Sequence, residues 1–270
     1  MKYTVIVDSC DKYADCWLPM SQCMEKFWPE AVNENAVVLI TDGSGKKPVA
    51  VDLSACRYAE VIEISERNFG ALLKKALRRI DSELVFLILD DQWPGSAVRT
   101  DLLEQAADIM ANDGTIGVIY SEAMPEKRVH EWHYSSSGKY PFLYEIPFGT
   151  PYRMSLAPAL WRKDFLIDIL QDEDTAWDFE RKGSFRDITS VKNALRFKES
   201  AYDRCAPVGA IEKGMWLLEI KKFGEKNNIT IDFSGRHVES RMDVFKSSCK
   251  SFVYNLNPDL IVRIQNKIGK

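Results

Sequence analysis

The amino-acid sequence predicts a doubly wound α/β sheet, and three observations carry that expectation. Short apolar runs alternate with helical repeats over the first 120 residues. One run, in "ELVFLILDD" (83–91), is apolar at every position up to its two acids, as a parallel strand covered on both faces requires. The runs end in Asp8-Ser9, Asp42 and Asp90-Asp91, and in such sheets ligands bind outside the carboxyl ends of the strands.

The elements follow in order. "YTVIVDS" (3–9) reads as the first strand. "YADCWLPMSQCMEKFWP" (13–29) has helical spacing, with Trp17, Met20, Met24, Phe27 and Trp28 on one side and Pro29 as a stop. "AVVLITDG" (36–43) and "AEVIEIS" (59–65) are the second and third strands. "NFGALLKKALRRI" (68–80) is a helix with a basic outer face, and residues 83–91 form the fourth strand. "TDLLEQAADIMANDG" (100–114) is a helix with a Thr or Asp start and a Gly stop, followed by the strand "IGVIY" (116–120). From 121 to 157 short strands are expected in "HEWHY", "PFLYEIP" and "PYRMSLA". "PALWRKDFLIDILQD" (158–172) reads as helix, and "EDTAWDFERKGSFRD" (173–187) as a polar loop with Trp177 and Phe179 tucked into the core. A short strand near "RCAPVGAIEKG", a helix over "MWLLEIKKFGEKNN" and a helical tail complete the chain.

The totals narrow the function classes. The chain of 270 residues, 46% hydrophobic and 28% charged, is long enough for one large domain with a full core. A net charge of −4 argues against a general nucleic-acid footprint. Six cysteines form no C-x-x-C pair, and with three histidines they spell no zinc site, so they read as reduced thiols. Cys16 and Cys23, seven apart, share a helix face and belong to the core. "YTVIV" is too short for a signal peptide, and no stretch approaches the ~20 apolar residues of a membrane helix. The expected location is the cytoplasm.

Asp90-Asp91 carries the sharpest chemistry. Two adjacent carboxylates repel unless a cation is shared or water is plentiful. Mg²⁺ or Mn²⁺, held by one or two carboxylates and completed by phosphate oxygens, answers that need; a solvated strand end is the alternative. Arg153, Arg162 and Lys163 read either as solvated positives or as a counter-charge for a departing diphosphate. Lys213 is a similar candidate, with Gly214 allowing close backbone approach, and Trp216 could stack on a sugar or base. His130 and His133, three apart, fall on opposite faces of a strand-like stretch and make a poor metal pair. The tail places Leu260, Ile261, Ile264 and Ile268 on one stripe, suited to packing on the domain or to an anionic membrane surface.

Four stretches carry a family resemblance: "ALLKKALRRIDSELVFLILDDQW", "VDSCDKYADCWLP" (7–19), "YRMSLAPALWRKDFL" (152–166) and "WDFERKGS" (177–184). They resemble nucleotide-sugar glycosyltransferases with a GT-A-like fold, and within these a bacterial group tied to surface polysaccharides such as capsule and lipopolysaccharide. The resemblance spans residues ~5 to 220. It implies a GT-A-like mixed sheet with an acceptor-side small sheet and a helical C-terminal part. The domain plan is a single unit, with a nucleotide-binding half over 1–120, an acceptor-side half over 121–235 and a tail over 236–270. Asp8, Ser9 and Asp11 would hold the base and ribose of the donor, and Asp90 and Asp91 the metal and the ribose-diphosphate. The family motif spaces its acids by one residue, whereas these are adjacent; Asp91 is expected on the metal and Asp90 toward the ribose or a backbone donor. Glu180, ahead of Asp178, stands where inverting members place the general base.

The implied activity is metal-dependent, hexosyltransferase-type transfer from a nucleoside-diphosphate sugar, UDP-linked, to a surface-glycan acceptor that could be lipid-linked, with inversion favoured over retention and Mn²⁺ or Mg²⁺ as cofactor. Peripheral contact of the tail with the inner face of the membrane belongs to the same picture. One rival is a sugar-phosphate nucleotidyltransferase, against which "DSCDKYADCW" lacks a Gly-rich basic loop. The other is a non-catalytic sugar-nucleotide-binding protein on the same fold. A dinucleotide-binding Rossmann site fails for want of G-x-G-x-x-G after strand one.

Overall fold

The structure, a computed structural model, describes residues 1–186, 192–199 and 209–244. Its described elements run β1 (Thr4–Asp8), α1 (Trp17–Phe27), α2 (Pro29–Asn33), β2 (Val37–Thr41), β3 (Glu60–Glu63), α3 (Phe69–Leu77), β4 (Leu84–Leu89), α4 (Thr100–Asn112), β5 (Ile116–Tyr120), α5 (Glu126–Glu131), β6 (Ser135–Ser136), β7 (Leu143–Ile146), β8 (Ala159–Arg162), α6 (Lys163–Ile169), α7 (Ala176–Gly183), β9 (Asn193–Phe197), β10 (Ile211–Glu212), β11 (Met215–Trp216) and α8 (Ile220–Asn227).

Among the described residues one mixed sheet holds nine strands in the order β3-β2-β1-β4-β8-β5-β9-β7-β6. Strands β1 to β4 pair in parallel, β8 runs antiparallel between β4 and β5, and β9 is parallel to β5. Helices cover both faces, so alternate residues of the central strands enter two separate cores. Val5, Val7, Phe86 and Ile88 pack with α1 and α4 on one side. Ile6, Val85 and Leu87 pack with α3 and α6 on the other. The doubly wound α/β expectation holds, and the four parallel strands put Asp8, Thr41, Glu63 and Leu89 at one edge.

Several elements depart from the sequence reading. Residues 159–162, expected inside a helix, form β8. Ala159, Leu160 and Trp161 are each fully buried between β4 and β5, and α6 starts only at Lys163. Residues 176–183, expected as loop, form α7. Its polar composition hides an N-terminal capping box, in which the Thr175 hydroxyl accepts from the Asp178 N–H while the Asp178 carboxylate returns to the Thr175 N–H. Phe179 is buried against Trp161, but Trp177 stands out at 69% exposed. His130 lies on α5 rather than in a strand, "PYRMSLA" forms no strand, and the helix expected at 215–228 splits into β11 and α8. Strands β6 and β7 extend the main sheet; the separate small sheet is the β10–β11 hairpin. The tail stripe at 260–268, Cys205 and Cys249 lie outside the described residues. Among those described, no helix is long and apolar enough to cross a membrane.

Candidate functional site

The carboxyl ends of β1, β2 and β4 open onto one cleft. Parallel pairing brings the Asp90 N–H to the Asp8 carbonyl at 3.1 Å. The Ser9 hydroxyl donates to Asp90 Oδ2 and accepts from Trp17 Nε1 at 2.7 Å. A cavity of about 390 Å³ is lined here by Asp8, Ser9, Asp42, Arg67, Asp90 and Asp91. It shares Cys10, Asp42, Glu66 and Arg67 with a larger space of about 950 Å³ that adds Lys12 and Lys46. On its other side it shares Tyr13, Leu89, Asp91 and Ala176 with a third cavity of about 770 Å³, which reaches Trp177, Glu180 and Lys213. Asp91 therefore stands at the junction of two compartments.

Burial dominates the electrostatics. It raises the Asp8 carboxyl to about 7. Asp90 is pushed well above the usual carboxylate range, first by burial and then by Asp91 beside it, against the stabilising Ser9 hydroxyl. Asp91 rises to about 6 through burial, with its own backbone N–H and the Arg236 charge pulling the other way. Asp8 Oδ1 is buried and has no hydrogen-bond partner among the described residues. Asp8 and Asp90 have no basic side chain hydrogen-bonded to them among the described residues, and Asp91 feels only the partial pull of Arg236, a setting in which a divalent cation would fit. The protein ligands alone are few: among the described residues no group of three or more His, Cys, Asp or Glu is arranged to hold a metal. Asp90 and Asp91 would have to share an ion with phosphate oxygens and water, as Mg²⁺ commonly permits.

No family model matches the chain, and no curated protein matches it. Among solved structures it is similar to S. aureus TarS (16% identity, TM-score 0.45, 75% of this chain and 59% of that one). It is similar too to the mannosyltransferase PcManGT from Pyrobaculum calidifontis in complex with GDP-Man and Mn²⁺ (19%, 0.38, 60% and 45%), and to a UDP-glucose pyrophosphorylase complexed with UDP-glucose (13%, 0.41, 74% and 91%). Glycosyltransferases and nucleotidyltransferases thus both stand among its structural neighbours.

The other expected site residues separate by burial and bonding. Asp11 is fully engaged: Oδ1 accepts from the Thr41 hydroxyl at 2.8 Å and Oδ2 from the Gly45 N–H at 2.6 Å. At 1% exposed it knots the loop after β2 instead of reaching a ligand. Trp216 is fully buried against Trp93 and Phe233 and has no face for a sugar or base. Arg153 is buried and gives its guanidinium to the Ile146 and Lys192 carbonyls. Arg162 and Lys163 fail as diphosphate partners because β8 runs antiparallel. That places Arg162 opposite Leu84, at the far end of β4 from Asp90, where it donates to the Met110, Asp113 and Ile116 carbonyls. Lys163 donates to the Ile80 carbonyl at 2.6 Å.

Glu180 and Lys213 do share a cavity with Asp91. Glu180 Oε1 accepts from the Ser155 hydroxyl at 3.0 Å and the Leu156 N–H at 2.8 Å, which fixes the side chain. Asp178 is spent on the Thr175 cap and on Lys182 at 2.6 Å, which hold its carboxyl down at about 2. Lys213 and Gly214 both have positive φ, 51° and 78°, and make the two-residue turn of the β10–β11 hairpin. Open space surrounds Gly214, so it serves the turn and not a close approach.

Sequence reasoning missed Arg236. Its guanidinium grips Asp15 through both oxygens at 2.8 and 3.0 Å, donates to the Lys12 and Gly214 carbonyls, and lies 4.6 Å from the Tyr13 ring centre. It ties the loop after β1 to the β10–β11 hairpin, two walls of the third cavity. No local signal marks it, because its partner lies 221 residues away.

Proposed function

We propose that the protein is a glycosyltransferase that uses a nucleoside-diphosphate sugar. The observation that carries the reading is that Asp91 lines both the strand-end cavity and the cavity containing Glu180. A donor compartment and an acceptor compartment meeting at one carboxylate suit transfer better than binding alone. In this reading Asp8 and Ser9 face the nucleoside, and Asp90 and Asp91 would hold Mn²⁺ or Mg²⁺ beside the donor diphosphate. The bound cation would neutralise charge on the leaving diphosphate. Glu180 takes the proton of the acceptor hydroxyl as that oxygen attacks the anomeric carbon. The bond from that carbon to the diphosphate oxygen breaks, with inversion, and the departing oxygen keeps the electron pair. A UDP-linked hexose as donor and a surface glycan as acceptor complete the proposal.

The test offers a panel of UDP- and GDP-sugars with Mn²⁺ and separately measures nucleoside diphosphate release, and pyrophosphate release from a nucleoside triphosphate plus a sugar 1-phosphate. Diphosphate release that disappears in Asp91→Asn supports the reading. Pyrophosphate release would reassign the protein as a nucleotidyltransferase. Nucleotide binding without either product would make it a non-catalytic binder.

A further inference from the structure

We propose that Trp177 is the platform on which the acceptor's pyranose ring stacks, a residue role that rests on the glycosyltransferase reading. Five other tryptophans, Trp17, Trp28, Trp93, Trp161 and Trp216, are 2% exposed or less, whereas Trp177 is 69% exposed. Exposed side chains elsewhere on the surface are ordinary, but this indole lines a cavity together with polar groups, which suits a residue covered on binding. Its position is specific. Trp177 lies in the first turn of α7, anchored by the Thr175–Asp178 cap, and Glu180 follows three residues later on the same helical face. Both line the cavity of about 770 Å³ that Asp91 also lines.

The chemistry that matches is a hexopyranoside. Its C–H-bearing face packs on the electron-rich face of an indole, while its hydroxyls point outward to polar groups. Glu180 and Lys213 supply such groups across the same cavity. The cap rigidifies the Trp177 backbone, and an indole with two side-chain torsions loses little entropy when a ring settles on it. Stacking there would hold one acceptor hydroxyl near Glu180, so Trp177 is a positioning residue and takes no part in bond making.

Saturation-transfer NMR tests the proposal directly. The probes are methyl glucopyranoside, methyl galactopyranoside and methyl N-acetylglucosaminide, with sorbitol as an acyclic control, each added to the full chain with saturating UDP and Mn²⁺. The wild type should saturate the ring C–H protons of at least one glycoside about fivefold more than Trp177→Ala does, and Trp177→Phe should keep more than half of that signal. Sorbitol should receive little from any variant. Equal glycoside signals in wild type and Trp177→Ala, or none in the wild type, would overturn the role of Trp177. The UDP resonances report separately in the same tubes. UDP that does not bind the wild type, with GDP failing likewise in a parallel tube, removes the glycosyltransferase reading itself, whereas bound nucleotide with a Trp177-independent glycoside signal removes only the platform.

Discussion

Replacing Arg236 by Met tests how the two walls of the site are held. The Asp15 side chain has no solvent exposure and Arg236 retains 6%. The pair is bidentate, and the guanidinium also satisfies the Lys12 and Gly214 carbonyls. Removing one partner of a buried pair leaves an uncompensated charge and costs about 3–5 kcal/mol. At roughly 2.1 cal/mol/K per residue, the unfolding entropy of a 270-residue chain is about 0.57 kcal/mol/K, so the melting temperature should fall by about 5–9 °C. Calorimetry of wild type, Arg236→Met, Asp15→Leu and the double variant closes a double-mutant cycle. The double variant should recover much of the loss, because no buried charge is then orphaned. An Arg236→Met melting temperature within about 1 °C of wild type, or a strictly additive cycle, would refute the reasoning.

Three further outcomes follow from the geometry. A Cβ on Gly70 would sit 1.8 Å from the Gln171 carbonyl oxygen, a backbone clash no rotamer relieves, so Gly70→Ala should cost about 3 kcal/mol in urea unfolding; a midpoint unchanged from wild type would contradict the packing of α3 on that loop. Glu180→Gln should lower transferase turnover by ~10²–10⁴ while Asp178→Asn stays near wild type, and the reverse ranking would exchange their roles. The folded-state pKa of Asp178 is depressed to about 2. Its contribution is therefore complete above the unfolded value near 4 and lost as pH falls through 2. An NMR titration placing Asp178 at 4 would show that the cap and Lys182 do not engage it.

The parallel half of the sheet was legible because its signals are local. The uninterrupted apolar run of β4 and the acids closing β1 and β4 can be read without a partner strand. Strand β8 was not legible, because "ALWR" runs straight into the apolar repeat of α6 and only its insertion between β4 and β5 makes it extended. Helix α7 was hidden by polarity, although the Thr175-x-x-Asp178 cap was there to be noticed. Among the site candidates, residue type pointed equally to Asp8 and Asp11, and it offered Trp216 for stacking while it placed Trp177 in the core. Bonding separates the acids, since Asp11 is engaged at both oxygens while Asp8 Oδ1 has no partner among the described residues, and burial separates the indoles, with Trp216 inside and Trp177 exposed in the cavity. Arg236 depends on a contact across nearly the whole chain, which no local pattern encodes.

Isothermal titration of UDP into the protein with and without Mn²⁺ measures the central claim most directly, namely that the acids at the end of β4 take up a cation together with a nucleoside diphosphate. The account predicts binding that strengthens with Mn²⁺ in the wild type and loses that enhancement in Asp91→Asn. Binding of equal strength with and without Mn²⁺ in both proteins would contradict it.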